Sequence, residues 1–169
     1  MAMSASNGPG REAAELVDAL RARGATLAVA ESLTGGLLAA TIVDVPGASA
    51  VFRGGVVAYA TELKHRLLGV DAALLAERGP VDPEVAAAMA AGVRARLGPD
   101  ASPATLGLAT TGVAGPDPQD GHAPGEVWIG VATAAGAVAH RLDAAGDRAA
   151  IRRAAVSECL RRGLDALAE

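Results

Sequence analysis

The chain has 169 residues, enough for one domain with a sizeable core and too few for two ordinary domains. A net charge of −4 and only three aromatic residues argue against a nucleic-acid partner, because phosphate backbones demand basic patches and bases need stacking surfaces. No apolar run is long enough to predict a membrane span. The single cysteine, Cys159, excludes an internal disulfide and indicates a reducing, cytoplasmic compartment.

Helices and strands alternate along the chain after a leader, residues 1–10, that lacks the regions of a signal peptide and is expected to be disordered. Apolar periodicity and glycine or proline stops predict, in chain order, a helix 11–23, a strand 26–30, a helix 34–43, a strand 51–60, helices 62–68, 72–77 and 83–97, a strand 105–110, a loop 111–125, a hairpin of strands 126–134 and 137–142, and a helix 147–167. This order predicts one α/β domain over residues 11–169, a three-layer α/β/α sandwich with a mixed, mostly parallel sheet.

The first candidate segment runs from Glu31 to Gly36, between a predicted strand and a predicted helix. Backbone N–H groups at such a helix start favour an anion, and the same turn can expose Ser32 as a nucleophile. The alternative is that Ser32 or Thr34 only caps the helix. We interpret Glu31, Thr34, Gly35 and Gly36 as candidate substrate contacts.

The second segment joins Ser49 to Tyr59 and Lys64. Lys64 is the single lysine in the chain, which favours a task that needs an amine able to lose its proton, as a guanidinium cannot. A serine beside a lysine whose pKa is lowered by burial can act as a nucleophile, and a tyrosine can donate a hydrogen bond to an oxyanion. The alternatives are a chance lysine in an arginine-rich chain and a tyrosine that only packs.

The third segment, residues 110–117, leaves a predicted strand at its carboxyl end, where ligand crevices lie in open α/β sheets. Thr111, Gly112 and Gly115 are candidate ligand contacts, although the glycines are also compatible with an ordinary turn. Arg148 at the start of the last helix can pair with a phosphate, or can be solvated. The remaining reactive side chains are expected to be structural, with Cys159 packed in a helix and His65, His122 and His140 at the surface without metal-ligand spacing.

Six segments share an order that is typical of one family. They are A-E-S-L-T-G-G at 30–36, P-G-A-S-x-x-F-R-G-G-V-V-A-Y at 46–59, K-x-x-L-L-G-V at 64–70, T-G-V-A-G-P-D at 111–117, G-E-V-W-I-G-V-A at 125–132 and G-D-R at 146–148. Together they resemble the CinA C-terminal domain family, also called the nicotinamide-nucleotide amidohydrolase or NMN deamidase family. The resemblance extends from about residue 11 to 167, and is to a stand-alone member without the preceding molybdopterin-binding-like domain.

The resemblance implies hydrolysis of nicotinamide mononucleotide (NMN) to nicotinate mononucleotide and ammonia, with no metal or cofactor, by an α/β/α domain that is often a homodimer. The family's functional side chains fall on Ser32, Ser49, Tyr59, Lys64, Thr111 and Arg148. The family often has Ser-Asn after the tyrosine, where this chain has Ala60-Thr61.

These observations lead to a specific expectation for the mechanism. Lys64 is predicted to be the general base, and Ser49 is favoured narrowly over Ser32 as nucleophile because it shares a segment with Tyr59 and Lys64. Backbone amides and Arg148 are expected to hold the phosphate. Two other functions stay open: a non-enzymatic binding module linked to competence or DNA damage, and an amidase for a related pyridine nucleotide.

Overall fold

The computed structural model describes residues 8–168, and in them five strands form one sheet in the order β2-β1-β3-β4-β5. The strands are β1 (Leu27–Glu31), β2 (Phe52–Val57), β3 (Leu106–Gly112), β4 (Glu126–Thr133) and β5 (Gly136–Asp143). β1 pairs in parallel with β2 and β3, whereas β4 is antiparallel to β3 and β5. β4 therefore runs against the other four strands, and the mixed, mostly parallel sheet is confirmed.

Helices cover both faces of this sheet and bury a core on each side. They are α1 (Pro9–Arg23), α2 (Leu37–Val43), α3 (Thr61–Leu68), α4 (Ala72–Arg78), α5 (Pro83–Arg96) and α6 (Arg148–Ala168), with short 3₁₀ turns at Ala48–Ala50 and Pro99–Ala101. One core joins the sheet to α1, α2 and α6, and the other joins it to α3, α4 and α5. The predicted three layers are confirmed. Among residues 8–168, no helix combines the length and apolar character that crossing a bilayer requires.

The helix starts follow local chemistry. α5 begins where the Asp82 carboxylate accepts hydrogen bonds from the N–H groups of Glu84 and Val85, with Pro83 in the first turn, where no N–H is needed. α2 begins at Leu37 and not at the predicted residue 34, because Gly35 and Gly36 adopt positive φ angles of 58° and 99°. The chain therefore makes a turn, not a helix, directly after β1.

Two other predicted boundaries are wrong. α1 begins at Pro9, so residues 9 and 10 are helical and do not belong to a disordered leader; residues 1–7 lie outside the described residues. β3 continues through Thr111 and Gly112, which pair with Trp128 and Val127 of β4. These two residues were predicted to open a loop, yet they form the last rungs of a strand.

Candidate active site

The candidate active site is a small cavity at the edge of the sheet where the parallel strands end. Ser32 follows β1, Tyr59 lies just beyond β2, and Thr111 and Gly112 end β3. The cavity has a volume of about 90 Å³, and its walls are completed by residues from the start of α3, the loop before α5, the loop after β3 and the start of α6. Ligand crevices of open α/β sheets lie at this position.

Ser32 and Lys64 form a direct pair in the wall of the cavity. Lys64 Nζ donates to Ser32 Oγ at 3.0 Å and to the carbonyl of Ala58 at 2.9 Å. Ala58 directly follows β2, and its backbone N–H donates to the carbonyl of Glu31 at the end of β1. Adjacent strand ends therefore hold the amine and the hydroxyl in contact.

Lys64 is fully buried, with an exposed fraction of 0%. Removal from water disfavours the ammonium form and lowers the pKa of Lys64 from 10.5 to about 8, and the carboxylate of Glu62 opposes this shift only in part. A substantial fraction of this amine is neutral near pH 8. A neutral amine beside a serine hydroxyl can remove the hydroxyl proton.

Tyr59 and Arg148 meet at the mouth of the cavity. Arg148 Nη2 donates to Tyr59 Oη at 3.1 Å, and Nη1 donates to the carbonyl of Gly115 at 2.6 Å. Tyr59 is 59% exposed. The phenol accepts from the guanidinium, so its own proton stays available to a ligand.

Thr111 and the loop before α5 close the inner wall. Thr111 Oγ1 donates to the carbonyl of Pro80 at 2.6 Å, and both residues line the cavity together with Gly112 and Gly115. The three ligand contacts predicted in the segment 110–117 therefore do border the cavity. Because the Thr111 hydroxyl donates its one proton to Pro80, it can only accept a hydrogen bond from a ligand.

Glu31 was predicted to contact substrate, and this is wrong. Its buried carboxylate accepts hydrogen bonds from the backbone N–H groups of Gly36, Leu38 and Ala39 at 2.8–3.0 Å. The glutamate thus caps α2, and it binds the backbone N–H groups that were predicted to bind an anion. The start of α2 is closed to a phosphate.

Thr34, Gly35 and Gly36 also do not line the cavity. Thr34 is fully buried, and its hydroxyl pairs with that of Thr110 at 2.7 Å. The two glycines form the tight turn into α2. Their roles are structural.

Ser49, the favoured nucleophile, is far from Lys64. It lies in the 3₁₀ turn before β2, is exposed, and borders an apolar groove with Val43 and Phe52. β2 has six residues, which span about 20 Å at roughly 3.3 Å each, and Lys64 contacts the opposite end of that strand. The expectation that Ser49 lies beside Lys64 is therefore wrong, and the residue in contact with Lys64 in the cavity is Ser32.

Sequence reasoning missed several residues that shape the site. Thr61, Pro80, Val81, Asp117 and Gln119 line the cavity without having been singled out. Arg152 in α6, which contacts the turn after Ser32, was missed as well. One signal was available for Arg152, because it lies four residues after Arg148 and therefore shares its helix face.

The remaining reactive side chains lie away from the cavity. Cys159 is fully buried, which raises the pKa of its thiol, so the predicted packing role is confirmed. His65 is exposed, whereas His122 and His140 are half-buried, and none of them lines the cavity. Within residues 8–168, no group of three or more histidine, cysteine or acidic side chains is arranged to hold a metal ion.

The site and fold define an α/β/α domain with a buried lysine–serine pair, and comparison with known proteins places it in a family. The sequence profile of the CinA C-terminal domain matches residues 11–167. The chain is 59% identical over 138 residues to a CinA-like protein of Frankia casuarinae, covering 82% of this chain and 31% of that protein. It is 51% identical over 133 residues to a CinA-like protein of Geobacter sulfurreducens, covering 78% and 31%. The chain belongs to the CinA C-terminal domain family, and spans about a third of the length of these relatives.

Solved structures agree with this assignment. The competence damage-inducible protein A of Klebsiella pneumoniae superposes with a TM-score of 0.90 at 33% identity, covering 96% of this chain and 99% of that chain. The competence/damage inducible protein CihA of Agrobacterium tumefaciens gives 0.86 at 31% identity, with coverages of 99% and 100%. The likeness extends over the whole α/β/α domain.

Proposed function

We propose that this domain hydrolyses the carboxamide of NMN to give nicotinate mononucleotide and ammonia, with Ser32 as nucleophile and Lys64 as general base. The observation that carries the proposal is the 3.0 Å contact between Lys64 Nζ and Ser32 Oγ, at a lysine whose pKa is lowered to about 8 by burial. An amide is a poor electrophile, so its hydrolysis needs both an activated nucleophile and a stabilised oxyanion. The site offers groups for each.

The first half of the reaction forms an ester. Neutral Lys64 takes the hydroxyl proton of Ser32 while Oγ attacks the carboxamide carbon, and a tetrahedral oxyanion forms. The resulting ammonium gives its proton to the amide nitrogen, the C–N bond breaks, and ammonia leaves. In the second half, Lys64 takes a proton from water, the hydroxide attacks the ester carbon, and Ser32 leaves with the returned proton.

Two hydrogen-bond donors are suited to the oxyanion. The backbone N–H of Leu33, the residue after the nucleophile, makes no hydrogen bond within residues 8–168, and Leu33 lines the cavity. The Tyr59 phenol keeps its proton because Arg148 donates to its oxygen. Removal of one such donor typically costs about a hundredfold or more in kcat.

Arg148 is the group best suited to the phosphate of NMN. Its guanidinium is exposed at the cavity mouth and uses two of its five N–H donors on Tyr59 and Gly115. The Glu31 carboxylate already accepts from three N–H groups at the start of α2, and the Asp147 carboxylate accepts from the N–H of Ala150 at the start of α6. The phosphate contact therefore depends on a side chain, not on a helix start.

The direct test is ammonia release from NMN by the purified chain, with Lys64→Met as the matched inactive control. Activity that Lys64→Met loses supports the proposal, and EDTA should leave that activity unchanged. The related amidase is tested by offering other pyridine carboxamides, such as nicotinamide riboside and nicotinamide. No ammonia from any of them would favour the non-enzymatic binding module. A homodimer stays a prediction, tested by the molar mass in solution.

A further inference from the structure

The turn that carries Ser32 is held from behind by an arginine outside the cavity. Arg152 Nε donates to the carbonyl of Leu33 at 3.1 Å, and its Nη2 donates to the carbonyl of Thr34 at 2.6 Å. The side chain is half-buried and does not line the cavity. One guanidinium thus binds the carbonyl groups of the two residues that directly follow Ser32.

These contacts restrain a segment that has little preference for one conformation. Gly35 and Gly36 follow immediately, and glycine populates many backbone conformations at low cost. In a trans peptide the C=O and N–H groups point in opposite directions, so the Leu33 and Thr34 carbonyls that face Arg152 direct the next N–H groups away from it. One of these, the N–H of Gly35, closes the turn on the carbonyl of Ser32 at 3.1 Å.

The same face of α6 also holds the other side of the cavity. Arg148 lies one helical turn before Arg152 and binds Gly115 and Tyr59. Two arginines of one rigid helix therefore hold the nucleophile turn, the loop after β3 and the end of β2 at fixed positions relative to each other. The contacts of one helix therefore connect three separate segments that border the cavity.

We propose that Arg152 is a positioning residue: by binding the carbonyls of Leu33 and Thr34, it keeps Ser32 Oγ aligned with Lys64 Nζ and with the substrate carbon. The proposal rests on the function proposed above for the Ser32–Lys64 pair. Lysine is a poor replacement, because a single ammonium does not reproduce the planar, two-point geometry of guanidinium. A displacement of about 1 Å at a nucleophile can cost about a hundredfold in rate.

The experiment compares Arg152→Ala, Arg152→Lys and the matched control Arg153→Ala, since Arg153 is the exposed next residue of α6. The expected result for Arg152→Ala is a 10- to 100-fold lower kcat for NMN with KM within about twofold. The kcat of Arg152→Lys should lie between those of Arg152→Ala and the wild type, and the kcat of Arg153→Ala should equal that of the wild type. Added guanidinium ion at non-denaturing concentration should restore part of kcat in Arg152→Ala only. Wild-type kcat in Arg152→Ala, or a loss that guanidinium does not restore and that follows a lower unfolding midpoint, would overturn the proposal.

A second readout does not depend on the identity of the substrate. A fluorophosphonate probe reacts with activated serines, and mass spectrometry can locate it on Ser32. Labelling of Ser32 should be at least tenfold slower in Arg152→Ala than in Arg153→Ala, and equal rates would contradict the proposal. If Ser32 is labelled at these relative rates but the wild type does not hydrolyse NMN, the substrate assignment fails while the positioning role stands. If the wild type neither labels nor hydrolyses NMN, both fail.

Discussion

The two serine-bearing turns of this domain look alike in sequence and differ completely in their surroundings. Ser32 lies at the carboxyl end of central strand β1, is 8% exposed, and contacts a buried amine. Ser49 lies before the amino end of edge strand β2, is exposed, and borders an apolar groove. Both serines are near glycines and small residues, so their local sequences do not separate them.

The difference between the turns comes from strand direction. Parallel strands bring their carboxyl ends to one edge of the sheet, so Ser32, Ala58 and Thr111 meet although they are distant in sequence. Ser49 is closer in sequence to Lys64 than Ser32 is, but one strand length separates it from the reactive amine. Proximity along the chain therefore misleads, whereas the end of the strand on which a residue lies predicts which residues share a site.

The largest effect is expected from Lys64→Arg. A guanidinium stays protonated at every accessible pH, so it can occupy the position but cannot take the Ser32 proton. We expect kcat for ammonia release from NMN to fall by about a thousandfold or more. A variant that keeps a tenth of wild-type kcat would rule out Lys64 as the base.

The burial of Lys64 should also lower the stability of the folded chain. Its pKa is about 8 in the folded chain and 10.5 without burial, so the unfolded chain binds more protons between these values. The free energy of unfolding therefore rises with pH between about 8 and about 10.5. Below pH 8, the buried lysine lowers the free energy of unfolding by an amount on the order of 3 kcal/mol. Lys64→Met should gain stability relative to the wild type at pH 7, less the lost hydrogen bonds, and the difference should shrink by pH 10. Urea unfolding at both pH values measures this, and a difference independent of pH would contradict it.

The activity should depend on pH through the same group. Lys64 must be neutral to act as base, so kcat/KM for NMN should rise about tenfold per unit up to pH near 8 and then level off. The profile is measured on the wild-type chain at constant ionic strength. A flat profile between pH 6 and 8 would show that no such base acts in the free enzyme.

Arg148→Ala should affect binding more than chemistry. Loss of a charged hydrogen bond to phosphate should raise KM for NMN about tenfold or more, with a smaller fall in kcat. Tyr59→Phe is the contrasting variant: it removes the phenol proposed to bind the oxyanion and leaves the guanidinium in place, so kcat should fall while KM changes little. Equal turnover of the nucleoside without phosphate by the wild type would contradict this role.

The smallest effect on activity is expected from Glu31→Gln, although Glu31 lies beside Ser32. The carboxylate caps α2 with three hydrogen bonds, so the amide should lower the free energy of unfolding by about 1–2 kcal/mol and leave KM within about twofold. Glu77→Gln, at an exposed position of α4, is the control. A large rise in KM without a loss of stability would indicate that Glu31 contacts the substrate after all.

The sequence predicted the alternation of elements, the three layers and the mixed sheet, because apolar periodicity and glycine or proline stops are local signals. It also identified Lys64, Tyr59, Thr111 and Arg148, which do line one cavity. It did not separate Ser32 from Ser49, because that choice depends on how the strands pair. It assigned Glu31 to a ligand because the capping of α2 depends on a turn at Gly35 and Gly36 that periodicity does not reveal.

The central claim is that Ser32, and not Ser49, is the residue that Lys64 activates. The most direct measurement is kcat for ammonia release from NMN by Ser32→Ala and Ser49→Ala, assayed side by side with the wild type. The contact between Lys64 and Ser32 predicts a loss of about a thousandfold or more for Ser32→Ala and a change within about twofold for Ser49→Ala. A Ser32→Ala variant with near-native kcat beside an inactive Ser49→Ala variant would contradict the claim.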